Sequence, residues 1–192
     1  MDVPLHAGID YGSKLAGTTC ICYQQNGILQ IHQSAKKADA DLFLYDHIRL
    51  TGVRHVFIDA PLSLPLVYKG KGENYFYRKA DQELGAMSPM FIGGLTARAM
   101  KLKNTLESEG IKVFEVYPGA WVRHNLKEGD KYKKDLDGFI KQVKSIFPAL
   151  PVVGDINNWH QADSVLAWVS GYRYLTGQSL SFGNADEGIV YI

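Results

Sequence analysis

Alternating apolar and polar positions near the N-terminus predict a three-stranded antiparallel meander. Strand one runs to Asp10, strand two covers about residues 17–23, and strand three covers about residues 28–32. Between the last two strands stand Asn26 and Gly27, which both tolerate the positive φ of a type I′ turn. The pattern therefore predicts a tight hairpin at this point.

After the meander, the apolar spacing changes to a helical period and alternates with short apolar runs. Helices are predicted over about 39–50, 95–109, 133–147 and 160–176, and strands over about 53–59 and 112–117, with a C-terminal hairpin near 180 and 189–191. Strands four and five are each reached through a helix. By the right-handed crossover rule, both should run parallel to strand one.

This order of elements predicts an α/β protein with one domain over residues 1–192. Three antiparallel strands followed by two parallel strands, flanked by helices, form the mixed sheet of the ribonuclease H-like fold. The segment at about 61–91, rich in proline and glycine, interrupts the pattern and is predicted to be an inserted loop with a short helix around 78–84. Loops of this length in a compact domain tend to be functional.

Acidic residues stand where the predicted strands end. Asp10 closes strand one, Asp59 closes strand four, and Glu115 lies near the same edge on strand five. Functional sites in open α/β sheets collect at the carboxyl ends of parallel strands. Each acid alone also has a structural interpretation, because aspartates in turns often bind the local backbone and strand acids near an edge are often exposed.

A further acid, Asp163, is expected in the first turn of the last helix. Small side chains follow it on the same helix face, at Ala167, Ser170 and Gly171, and would let this helix approach the sheet closely. Asp163 would then join Asp10 and Asp59, although it would also suit the helix dipole on its own. His160 precedes it as a candidate ligand or base, or as a capping or surface histidine.

Clustered carboxylates repel one another unless cations neutralise them. Mg²⁺, or Mn²⁺ in its place, prefers such hard oxygen ligands, and a pair of these ions promotes hydrolysis of phosphodiesters. The sequence therefore predicts a metal site made by Asp10, Asp59 and Asp163, with Glu115 as a fourth catalytic candidate. The predicted activity is that of a metal-dependent nuclease.

The net charge of +1 argues against binding nucleic acid by bulk electrostatics, so local patches would have to contact it. Aromatic and basic residues interleave over 68–79, where Lys69 and Lys71 are expected to contact substrate together with Lys14 after strand one. The lysines of 127–144 alternate with acids and indicate a solvated helix face.

The remaining composition suggests a cytoplasmic protein without a membrane segment. The N-terminus lacks the basic and apolar parts of a secretory signal, and no apolar run is long enough to span a bilayer. Cys20 and Cys22 lie two residues apart on a predicted strand, where a disulfide is awkward, so buried reduced thiols are expected.

Residues 8–17 resemble the opening of Holliday-junction-resolvase-type members of the RNase H-like superfamily. Residues 58–62, 78–81, 115–118 and the last helix resemble, over nearly the whole chain, a family of predicted RNase H-like nucleases otherwise classed as a domain of unknown function.

The resemblance implies that Asp10, Asp59 and Asp163 match the superfamily's metal-binding positions, and that Glu115, Arg78 and Asp81 match positions typical of the narrower family. Arg78 and Asp81 would form either a surface ion pair or part of the cleft, with the Arg78 fork on a phosphate. Better-studied nucleases commonly offer four acids, and here the fourth is not identified.

Two other functions remain open from the sequence. Residues 92–96 resemble the glycine pair of the actin-like ATPase superfamily, which would make the chain a nucleotide-binding or phosphotransfer protein. The second is that of a module that binds nucleic acid through Lys69, Lys71 and Arg78 without turnover. A homodimer through the edge of the meander or the C-terminal hairpin is also compatible with the pattern.

Overall fold

An eight-stranded mixed sheet forms the centre of the molecule in the computed structural model, which describes residues 3–126 and 131–192. The strands are β1 (His6–Asp10), β2 (Cys20–Gln25), β3 (Ile28–Gln33), β4 (His55–Asp59), β5 (Lys112–Val116), β6 (Val152–Val153), β7 (Ser181–Asn184) and β8 (Gly188–Tyr191). The helices are α1 (Ala40–Thr51), α2 (Lys79–Leu84), α3 (Gly93–Ser108), α4 (Pro118–Asn125), α5 (Leu136–Ile146) and α6 (Trp159–Leu175). The protein is therefore of the α/β class with helices flanking the sheet.

The predicted meander is present. β1, β2 and β3 pair antiparallel, and the turn between β2 and β3 places Asn26 at φ 52° and Gly27 at φ 79°. Both values lie in the left-handed region that a type I′ turn requires.

The two helix-connected strands run parallel to β1, as predicted. β4 pairs with β1 in a register that sets Asp10 opposite Asp59, and β5 pairs with β4. The side chain of Asp39 caps α1, and Gly52 ends it in the left-handed conformation at φ 70°.

The sheet extends beyond the predicted strands, in the order β6-β3-β2-β1-β4-β5-β8-β7. The C-terminal hairpin places β8 parallel to β5, and the two-residue β6 runs parallel to β3. The pattern did not predict β6, because two residues are too short for an alternation signal.

Two helices differ from the sequence prediction. No helix was predicted between the strand at about 112–117 and the helix at about 133–147, but Pro118 occupies the first turn of α4 there, where its fixed φ suits a helix. α5 was expected from residue 133 and begins instead at Leu136, because the Asp135 side chain accepts a hydrogen bond from the Gly138 backbone N–H and caps the helix. The predicted solvated face over 127–144 lies partly outside the described residues, at 127–130.

The core has a layer on each face of the sheet. On one face, α1 and α3 pack on the inward positions of the central strands, burying Ile9, Ile58, Leu44 and Leu106. On the other face, α6 covers β1 and β4 and buries Trp168. Each face therefore has its own set of buried apolar side chains.

The cysteines agree with the prediction: Cys20 and Cys22 are buried and unbonded, and burial raises the pKa of both thiols. Within 3–126 and 131–192, no helix has the length and apolar character needed to cross a membrane.

Candidate functional site

Asp10 and Asp59 end two neighbouring parallel strands side by side. Their Cα atoms are partners in the β1–β4 register. Gly8 and Phe57, two residues earlier on each strand, contact α6, so the alternation of side chains turns both aspartates toward the α6 face. The sequence-predicted pair of carboxylates therefore shares one edge and one face of the sheet.

Asp163 faces this pair from α6. It lies in the second turn of the helix rather than in the predicted first turn, because α6 begins at Trp159 and Asn158 caps it. This position weakens the alternative that Asp163 serves the helix dipole. Asp163 is 6 % exposed.

Close packing of α6 on β1 brings Asp163 to the sheet. A Cβ added to Gly8 would stand 2.1 Å from the backbone nitrogen of Trp168, and a Cβ on Gly171 would stand 2.4 Å from the Phe57 ring. Ala167 and Gly171, two of the small residues predicted to permit a close approach, thus lie at the contact.

The three carboxylates act on one another electrostatically. Burial raises the pKa of Asp59 well above its usual range, and the charges of Asp10, Asp163 and Glu115 raise it further. Burial also raises the pKa of Asp163, and Asp10 adds to this, whereas the Lys133 ammonium opposes it. The carboxyl groups are therefore close enough to disfavour one another's ionisation, in a site with little water to screen their charges.

Two residues that the sequence analysis did not single out complete this cluster. The Lys133 ammonium lies 2.6 Å from Asp163 Oδ2, and the Tyr132 hydroxyl donates to Asp163 Oδ1 at 2.8 Å. Lys133 has a positive φ of 59°, and its ammonium lies over the rings of Tyr132 and Trp159, at 4.8 and 5.4 Å. The only signal in the sequence was an aromatic residue beside a lysine within a run of mixed charge.

His160 contacts the first of the acids. Its Nδ1 lies 2.8 Å from Asp10 Oδ2, and this hydrogen bond raises the pKa of His160 above its ordinary value. Because Asn158 caps α6, the capping alternative for His160 does not hold. Its side chain is 46 % exposed, as the surface alternative expected, and when protonated it provides a second cationic partner for the carboxylates.

Glu115 belongs to a different cluster, on the opposite face of the sheet. It pairs in register with Ile58, whose side chain packs with α1 and α3, whereas Asp59 follows on the α6 face. Glu115 accepts two hydrogen bonds from Arg78, at 2.6 and 2.7 Å, and one from the Leu62 backbone N–H at 2.8 Å. Burial raises the pKa of Glu115 and Arg78 opposes this.

Arg78 is 1 % exposed, so it does not form the surface ion pair that was one of the two expectations. Its guanidinium donates to Asp81 from Nε and Nη2, to Glu115 from Nη1 and Nη2, and to Ser63 from Nη1. These contacts use all five N–H bonds. A phosphate could bind the Arg78 fork only by breaking one of them.

A second buried carboxylate anchors the inserted segment. Glu187, in the turn before β8, accepts from the backbone N–H of Leu66 at 2.9 Å and of Lys79 at 2.7 Å. It is 6 % exposed, and no motif in the sequence indicated its role.

The predicted substrate lysines have partners outside the acidic cluster, a carboxylate for Lys14 and Lys71 and a backbone carbonyl for Lys69. Lys14 Nζ lies 2.9 Å from Asp39, Lys69 donates to the Asp186 carbonyl, and Lys71 Nζ lies 3.7 Å from the Asp186 carboxylate. The Lys14 and Lys71 side chains are more than half exposed, so a ligand in solution can contact them.

The donor types suit a hard divalent cation, because all three side chains are carboxylates. Within the described ranges, no three His, Cys, Asp or Glu side chains stand in a coordinating arrangement. The Lys133 ammonium supplies positive charge at this cluster, since it contacts Asp163 and lowers the pKa of Asp59.

A cleft of about 310 Å³ begins at the acids. Asp10 and Asp59 line one part of it, and the Arg78, Asp81 and Glu115 cluster lines another. The remaining wall is apolar and comes from α2, the start of α3 and the end of β5.

Compared with known proteins, the chain matches no protein-family model and no curated protein sequence.

Proposed function

We propose that the chain is a metal-dependent hydrolase of phosphodiester bonds in nucleic acid, built on an RNase H-like fold. The observation that carries the proposal is the register of β1 and β4, which sets Asp10 beside Asp59 with Asp163 facing them.

The strand order supports the fold assignment. The central strands follow the order β3-β2-β1-β4-β5, antiparallel among the first three and parallel from β1 to β5. This is the arrangement expected of an RNase H-like sheet, and the motifs around residues 10, 59, 115 and 163 resemble that superfamily.

The proposed metal ligands are Asp10, Asp59 and Asp163, for Mg²⁺ or Mn²⁺. When bound, such a cation supplies the positive charge that favours attack by water and departure of the leaving oxygen at a phosphodiester. His160 holds the Asp10 carboxylate in position, and Tyr132 holds Asp163 by its hydroxyl.

Lys133 has a separate part in this proposal. Its ammonium neutralises Asp163 before a divalent cation enters, and its side chain is 47 % exposed, so the ammonium has room to move toward solvent. The two buried thiols suit a reducing compartment, and we place the activity in the cytoplasm.

The test is cleavage of end-labelled single-stranded DNA, RNA, duplex and hybrid substrates in Mg²⁺ or Mn²⁺. We expect the wild type to cleave at least one substrate, Asp10→Asn to lose this activity, and Asp46→Asn, which removes an exposed acid on α1, to retain it. Inactivity combined with tight ATP binding would favour the actin-like alternative. Strand binding without turnover at any metal concentration would favour the binding module.

A further inference from the structure

The cleft beside the acids accepts one small apolar group. Its wall includes Leu84, Met87, Ile92, Leu95 and Tyr117, and its volume of about 310 Å³ is at the low end for small-molecule sites. A run of several nucleotides would not fit into this space. A single planar base would find apolar surface on several sides.

The charges in the cleft disfavour a phosphate inside it. Among the described residues that line the cleft, Arg78 is the one basic side chain, and its N–H bonds are directed to Ser63, Asp81 and Glu115. With Asp81 and Glu115, this cluster has one more negative than positive charge. An uncharged group therefore enters the cleft more easily than a phosphate group does.

Exposed aromatic rings stand beside the cleft in the inserted segment. Phe91 directly precedes the cleft residue Ile92, and the ring centroids of Phe76 and Tyr77 lie 6.0 and 6.2 Å from that of Phe91. Phe76 is 54 % exposed and Phe91 is 65 % exposed. Aromatic surfaces of this kind bind bases of single strands by stacking, with little dependence on sequence.

Hydrogen bonds fix the backbone that carries these rings. Ser88 Oγ donates to the Phe76 carbonyl, the Phe91 backbone N–H donates to the Ser88 carbonyl, and Thr96 Oγ1 donates to the Pro89 carbonyl at 2.8 Å. Both Ser88 and Thr96 are buried. The backbone that carries the rings is therefore fixed before a ligand arrives, which lowers the entropy cost of binding.

We propose that this surface binds an unpaired strand of nucleic acid, with one base in the cleft and the next stacked on Phe91 and Phe76. The inference rests on the proposed function and names its substrate class. A paired base cannot enter the cleft without leaving its duplex, so the protein discriminates against intact double strands.

The test is fluorescence anisotropy without divalent metal, using short labelled single strands of DNA and RNA and a blunt duplex of the same sequence. We expect the wild type to bind a single strand at least tenfold more tightly than the duplex. Phe91→Ala should weaken that binding by about tenfold, within the range for one stacked base. Leu50→Ala, which removes an 85 % exposed side chain on α1, should leave it unchanged. Comparing the affinities for the DNA and RNA strands shows which of the two the protein prefers.

Three results would overturn the inference: equal binding of single strand and duplex, no effect of Phe91→Ala, or no binding of any strand. Self-association of the wild type that is lost in Phe91→Ala, without strand binding, would assign the aromatic surface to a contact between copies. Cleavage of a duplex in Mg²⁺ would still support the proposed function in each of these cases, so the two proposals fail separately.

Discussion

Neighbouring basic side chains offset the negative charge of two of the three clustered carboxylates. Asp163 has the Lys133 ammonium at 2.6 Å, and Asp10 has His160 at 2.8 Å, whereas burial and like charges act against ionisation of Asp59. The carboxylates are therefore partly neutralised by the chain itself. In the proposed function, a divalent cation would take over this role.

A pH-dependent stability follows from the His160 contact with Asp10. Folding raises the pKa of His160 above its ordinary value of 6.5, so the pair stabilises the fold fully below that pH and loses its effect as the pH rises through the folded-state pKa. We predict that the difference in free energy of unfolding between wild type and His160→Gln shrinks as the pH rises above 6.5. Urea denaturation at several pH values measures it.

His124→Gln, at an exposed histidine on α4, provides the control for the loss of an imidazole. If the loss of unfolding free energy caused by His160→Gln stays constant or grows as the pH rises, the stabilisation does not come from the His160–Asp10 pair.

The residues of the site could be predicted to different degrees. Asp10 and Asp59 could be predicted because each ends an apolar strand, and the end of a strand is visible in the local sequence. Tyr132 and Lys133 were not, because they lie in a non-periodic stretch before α5 whose path depends on tertiary contacts with Asp163 and Trp159. For the Arg78 cluster, the sequence indicated only the local pair, because Arg78 and Asp81 are one helical turn apart. The contact with Glu115 depends on tertiary structure.

At the scale of elements, the packing of α6 on β1 determines whether Asp163 reaches the other acids. The contact depends on Gly8, where a side chain would overlap the α6 backbone at Trp168, Ser164 and Ala167. Backbone atoms cannot move aside as a flexible side chain can. The geometry of the site is therefore tied to one glycine.

We predict that Gly8→Ala lowers the free energy of unfolding by about 3 kcal/mol or more, because it overpacks a backbone contact. Gly93→Ala is the matched control, since a Cβ there meets nothing within 4 Å and alanine favours the helix by up to about 1 kcal/mol. Thermal or urea unfolding of both variants tests this. Equal stability of Gly8→Ala and wild type would contradict the close approach of α6.

The inserted segment is tied to the sheet by buried charge. Arg78 joins Asp81 at the start of α2 to Glu115 on β5, and the three side chains are almost fully buried. Removing the guanidinium would leave two buried carboxylates without a cationic partner.

We predict that Arg78→Met costs about 3–5 kcal/mol of stability, the range for breaking a buried ion pair from one side. Lys71→Met, which removes a cation from an exposed pair, should cost less than about 1 kcal/mol. Denaturant unfolding compares the two. If both substitutions cost the same small amount, the Arg78 cluster does not anchor the segment.

Elements with a strong periodic pattern were the predictable ones. The meander, α1, α3 and α6 follow their apolar spacing, and Asn26 with Gly27 marks the hairpin. α4 was not predicted because a proline after a strand can either end the strand or begin a helix, and eight residues give little periodicity. β6 was not predicted because its pairing with β3 arises from tertiary structure.

At the scale of the whole molecule, the sheet continues on both sides of its five central strands. β6 partly covers the edge of the meander at β3, and β8 covers β5, so that β7 forms the opposite edge. The homodimer expected through one of these edges stays a prediction. The acids lie centrally, at the carboxyl ends of β1 and β4, with the apolar cleft and the aromatic rings on the side of the inserted segment.

Calorimetric titration of Mn²⁺ into the metal-free protein tests the central claim most directly, that residues 10, 59 and 163 share one site for hard cations. We predict saturable binding by the wild type, loss of this binding in Asp10→Asn, and unchanged binding in Asp46→Asn. Equal binding by wild type and Asp10→Asn, or no binding by the wild type, would contradict the account.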